Sequence, residues 1–184
     1  MNNTDCSEID GYEKAEKFVE AKNSLMKKWH ENPYDLKILI RASFINWYLL
    51  VEWERTKHLN IDCDELADRI NELYDFGIKK FSENEEFLLV FGYMMNVSPE
   101  NFASCDYTSS YDNGMLMLKK AFKINPNNDL IKLIYFRSIT TIDKGLLTKP
   151  MCENIVKYID EKFSVDSLIS DYVKSVILQI EYQQ

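Results

Sequence analysis

Two histidines (His30 and His58), four cysteines (Cys6, Cys63, Cys105 and Cys152) and the acidic run Asp62-Cys63-Asp64-Glu65 are the side chains best suited to proton transfer, nucleophilic attack or metal binding. Catalysis needs such groups converging on one point, and zinc needs them in short paired spacings. The cysteines stand roughly 40 to 60 residues apart with no Cys-x-x-Cys pair. That pattern predicts reduced, mostly buried thiols rather than a disulfide framework or a zinc site. Each histidine falls at the end of a predicted helix, where an imidazole suits the terminal carbonyls. Asp62, Asp64 and Glu65 would supply the first oxygens of a calcium loop, but the rest of that loop's ligand ladder and its glycine are missing. Helix capping accounts for them instead. His-Glu-x-x-His, a phosphate-cradling glycine loop and Gly-x-Ser-x-Gly are all absent from the sequence. The expectation is a non-enzyme with no cofactor and no metal.

Charge says more. The net charge is −8, and it is unevenly spread. Residues 52–114 carry 14 acidic and five basic side chains, whereas residues 115–151 carry two acidic and seven basic ones. The acidic middle would repel nucleic acid and anionic membrane and attract a basic protein. Lys119, Lys120 and Lys123 share a helix flank but lack interleaved aromatics, so they do not restore a nucleic-acid reading. Among the aromatics, Trp47, Tyr48 and Trp53 read first as core. Tyr107 and Tyr111 flank a Thr-Ser-Ser stretch beside Asp106 and Asp112, a mixture suited to a recognition loop over Ser104 to Asn113.

These residues have to be positioned by helices. A chain of 184 residues, 46% hydrophobic and 28% charged, suffices for one domain, 1–184. Only five glycines and four prolines leave few turns, which favours long helices over sheet. The periodicity predicts about nine. The first spans Ser7 to about Glu31, capped by Ser7 and broken by Asn32-Pro33. The second, Tyr34 to Lys57, is apolar nearly all round and should be the buried spine. Others follow at Asp62–Phe81 and Glu85–Asn96, with a short turn at Ser98-Pro99-Glu100. The last four cover Tyr111–Ile124, Asp129–Ile142 ahead of Gly145, Lys149–Phe163 and Asp166–Tyr182. Short connections make neighbouring helices antiparallel hairpins. The polar start and the shortness of the most apolar stretch, Ile38 to Val51, predict no signal peptide and no membrane span, hence a cytoplasmic location.

The segment Gly114-Met115-Leu116-Met117-Leu118-Lys119-Lys120-Ala121-Phe122-Lys123-Ile124-Asn125-Pro126 resembles the second helix and closing turn of a tetratricopeptide repeat. Small residues at Gly114 and Ala121, then Pro126, follow that family's order; Ala21 with Pro33, and Gly92, echo it. The three repeat ends, near Pro33, Ser82 and Pro126, lie 49 and 44 residues apart, against a family period of about 34. The resemblance implies a right-handed α-solenoid whose groove would be lined by Phe44, Trp47, Glu86, Tyr93 and Arg137. With missing catalytic groups and an acidic middle, the expected function is sequestration of a basic protein. The concrete case is an immunity protein neutralising a nuclease toxin through acidic complementarity. The alternatives are an adaptor that binds peptide in the groove, a subunit of a larger assembly, and an enzyme of unfamiliar type.

Overall fold

The computed structural model describes residues 5–59, 61–102, 106–139 and 147–179. Every regular element among them is helical, and ten are α-helices. Helix α3 (Leu36–Val51) is the spine: Asp35 caps it by accepting from Ile38 N–H at 3.2 Å, and all residues from Ile38 to Leu49 are buried. Two of its interior polar side chains donate back to the helix itself. The Ser43 hydroxyl donates to Leu39 O at 2.8 Å and the Asn46 amide to Ala42 O at 2.7 Å. Helices α2 (Phe18–Glu31) and α5 (Cys63–Phe81) pack on α3, and α6 (Glu85–Val97) adds a third side.

The single first helix expected from Ser7 to Glu31 is two, α1 (Ser7–Lys14) and α2, and Ser7 lies inside α1 rather than capping it. Glu16 adopts φ 53° at the corner. Lys17 N–H donates to Tyr12 O at 2.9 Å and Glu16 N–H to Glu13 O at 3.0 Å, the paired bonds that close a helix on a left-handed residue. Glycine usually marks that position; here a glutamate fills it. The second helix is likewise shorter than expected. It ends at Val51, because the buried Thr56 hydroxyl folds back onto Leu49 O (3.0 Å) and Glu52 O (3.1 Å). Helix α4 (Trp53–Thr56) and a 3-10 turn (Lys57–Leu59) follow.

Helices α6 and α7 (Tyr107–Ile124) form the closest hairpin. A Cβ on Gly92 would sit 3.0 Å from Gly114 O, and one on Gly114 only 2.8 Å from Met95 Cβ. The two backbones therefore touch at paired glycines, and Ala121 is fully buried further along. Helix α8 (Asp129–Ile139) and helix α9 (Lys149–Phe163) complete the hairpins; residues 140–142 and Gly145 lie outside the described residues. Finally α10 (Leu168–Tyr172) runs into a π-helical turn (Val173–Ile177) and returns to α1 and α3; residues 180–182 of the expected last helix are also outside. The buried apolar side chains form one continuous cluster from Cys6 to Leu178. No helix among the described residues is long and apolar enough to cross a membrane.

Candidate functional site: an acidic cleft walled by tyrosines

The residues expected to bind a partner separate into two groups. Trp47 is wholly buried, its indole N–H donating to Ser98 Oγ at 2.5 Å, and Phe44 is 3% exposed. Both pack on Tyr172, as does Tyr93, whose hydroxyl lies 3.0 Å from that of Tyr172. Burial, followed by the charge and hydrogen bond of Tyr172, pushes the Tyr93 phenol far up. Glu86 is held in an ion pair with Lys162, and Arg137 donates to Ile177 O at 2.7 Å. The positions that the repeat resemblance assigns to an open groove are thus occupied by α9, α10 and the π-turn.

The second group lies at the start of α7, and the expected recognition loop is helical there. Asp106 caps α7, accepting from the Ser109 amide at 3.0 Å and its hydroxyl at 2.9 Å. Those bonds hold the Asp106 carboxyl below its usual range. The buried Ser110 hydroxyl donates to Phe102 O at 3.2 Å, so the Thr-Ser-Ser stretch is a helical first turn. Tyr107 (63% exposed) and Asp112 face solvent, and Tyr111 is half-buried.

Helix α5 carries five of the 14 carboxylates of the acidic middle. Asp62 caps it through the Asp64 and Glu65 amides, the capping role expected of that run. Asp64, Asp68 and Asp75 fall on one face at helical spacing, are exposed, and meet no cationic partner among the described residues. Glu65 and Glu72 are bridged to Lys22 and Arg69.

A cleft of about 600 Å³ opens where the α1–α2 corner, the end of α3 and α10 meet. Phe18, Tyr48 and Tyr172 line it, with the carboxylates of Glu13, Glu16, Glu52 and Asp171 and the cations Lys14 and Arg55. Both cations are engaged, Lys14 with Asp166 at 3.0 Å and Arg55 with Glu16 at 3.3 Å. Glu52 and Asp171 have no ion-pair partner in the cleft. Partial burial, against the pull of Lys174, raises the Asp171 carboxyl, and Asp166 and Asp160 raise it further.

Behind one wall lies a buried charge cluster. Arg41 Nη2, 1% exposed, is 2.7 Å from both Asp10 Oδ1 and Glu13 Oε2. Glu13 also accepts from Leu168 N–H at 2.8 Å, and Asp10 from the Ser164 hydroxyl at 2.8 Å. Burial pushes the Glu13 carboxyl up against the opposing pull of Arg41 and that amide. The sequence signal was Arg41, the one charged side chain in the buried run from Ile38 to Leu49. Neither the cluster nor the cleft was expected.

His30 donates to Met26 O at 2.7 Å near the end of α2, and His58 stands exposed in the 3-10 turn. Of the described thiols Cys6 is buried, Cys152 half-buried and Cys63 exposed, so burial is less general than expected; Cys105 is outside the described residues. Neither a protein family, nor a curated protein, nor a solved structure shows detectable similarity to this chain.

Proposed function

We propose that this chain is a binding module that captures a basic protein, the concrete case being an immunity protein that neutralises a nuclease toxin. The carrying observation is the row of exposed carboxylates on α5, Asp64, Asp68 and Asp75, with no cationic partner among the described residues. Charges left unpaired in this way act at range, raising the association rate of a basic partner by roughly tenfold to a thousandfold. The scaffold is that of worn tetratricopeptide-like hairpins, a reading supported by the Gly92–Gly114 crossing and the buried Ala121 ahead of Pro126. Peptide capture in a repeat groove ranks second, because Phe44, Trp47 and Tyr93 are packed against Tyr172 and a peptide would have to displace α10.

The test is co-expression with the product of the adjacent reading frame, followed by capture at low and high salt. Capture should weaken at high salt, since about 1 M salt shortens electrostatic reach to roughly 3 Å. Neutralising Asp64, Asp68 and Asp75 to Asn should slow association at least tenfold. Capture indifferent to both salt and the triple variant refutes the proposal.

A further inference from the structure

The cleft beside α10 has a donor and a charge imbalance that its own residues do not use. Tyr48 is 4% exposed, yet its hydroxyl has no hydrogen-bond partner among the described residues. After the burial that raises this phenol, the groups acting on its oxygen are Arg55, Glu52, Glu16 and Tyr172, all of which line the cleft. Tyr48 lines the cleft and its oxygen is not closed off from solvent, so the hydroxyl opens there. Water or a ligand in the cleft completes the hydrogen bonding of that hydroxyl.

The chemistry of the walls selects the ligand. The four lining carboxylates outnumber the two lining cations, both of which already stand in ion pairs, so the cleft favours a cation over an anion. Glu52 and Asp171 have no ion-pair partner among the described residues, whereas the neighbouring Asp166 and Asp160 are bridged to Lys14 and Lys174. The rings of Tyr48 and Tyr172 are buried against Phe18, Phe44, Trp47 and Tyr93, so the carboxylates and the Tyr48 hydroxyl are the contacts the cleft offers. The volume of about 600 Å³ lies in the range of ligand pockets, enough for one long side chain and the peptide that carries it.

We infer that this cleft is a socket for one lysine or arginine side chain of the basic partner, held between Glu52 and Asp171 with its N–H groups reaching the Tyr48 hydroxyl. The inference rests on the proposed function but on different residues from those of α5. It gives the interface an anchor point, where a contact closed off from water by the partner contributes far more than charges on the rim.

The probes are N-acetyl-arginine amide, N-acetyl-lysine amide and the uncharged N-acetyl-citrulline amide, titrated into the full chain and followed by the tyrosine ring signals in NMR. The cationic probes should bind at least tenfold tighter than citrulline. Glu52→Gln and Asp171→Asn should each weaken them about tenfold. Tyr48→Phe should weaken them several-fold while leaving the Tm of the free protein unchanged, because the hydroxyl has no protein partner to lose. Citrulline binding as well as arginine, or unchanged affinity in Glu52→Gln and Asp171→Asn, overturns the socket. If the socket fails while neutralising α5 still slows capture, the basic-partner reading stands alone. If the probes bind as expected while capture ignores salt and the α5 variant, the functional reading falls and the socket stands.

Discussion

Arg41 shows how much one side chain can demand of a fold. It sits in the middle of the spine helix, and two carboxylates of α1 must be brought to it. Replacing one partner of such a buried group leaves the others uncompensated, so Arg41→Met should cost about 3–5 kcal/mol in urea denaturation. Adding Asp10→Asn and Glu13→Gln should recover most of the loss, since Gln keeps an acceptor for Leu168 N–H. A loss below about 1 kcal/mol for the single variant would mean that the cluster behaves as an exposed pair. Asp106 makes the opposite case, at the surface. Its carboxyl is held below the unfolded value, so its cap is complete above the ordinary aspartate range and is lost as pH falls through the depressed value. The protection of the Ser109 amide, its exchange measured against the intrinsic rate at each pH, should therefore fall in acid, and Asp106→Asn should remove that pH dependence while keeping a cap.

At the scale of elements, the glycines separate packing from propensity. Gly92→Ala and Gly114→Ala each push a methyl against backbone across the α6–α7 crossing, and should destabilise by about 1–3 kcal/mol. Gly11, in α1, has nothing within 4 Å of the point where an added methyl would stand, and Gly11→Ala should stabilise by about 0.5–1 kcal/mol. Thermal melts of the three variants check both signs. These elements also show what the sequence made legible. Caps such as Asp62, Asn84 and Thr148 satisfy amides two or three residues away, so the starts of α5, α6 and α9 could be read locally. The small residues of the α6–α7 hairpin were legible as well, because close approach leaves few other residue types possible. The α1–α2 corner was hidden by a glutamate in glycine's usual place. The start of α7 was hidden because Thr-Ser-Ser has the composition of a loop until Asp106 caps it. The cleft was illegible for another reason: Glu52 and Asp171 are roughly 120 residues apart, and only the return of α10 joins them.

For the whole molecule, α10 is the closing piece. Tyr172 packs on rings from α3 and α6, and Leu168 and Ser164 bond to α1. Tyr172→Ala should cost about 3–5 kcal/mol, comparable to other large aromatic truncations in a core. A loss confined to about 1 kcal/mol, the size of a surface change, would show α10 to be loosely docked. The return of α10 also has a consequence in time. Phe44 and Trp47 leave the ribosome some 125 residues before Tyr172 does, a delay on the order of ten seconds at ordinary elongation rates. Through that interval the spine helix is complete but lacks its final cover, so the nascent chain carries an oily face that a chaperone, or another half-made copy, can reach before the last segment emerges.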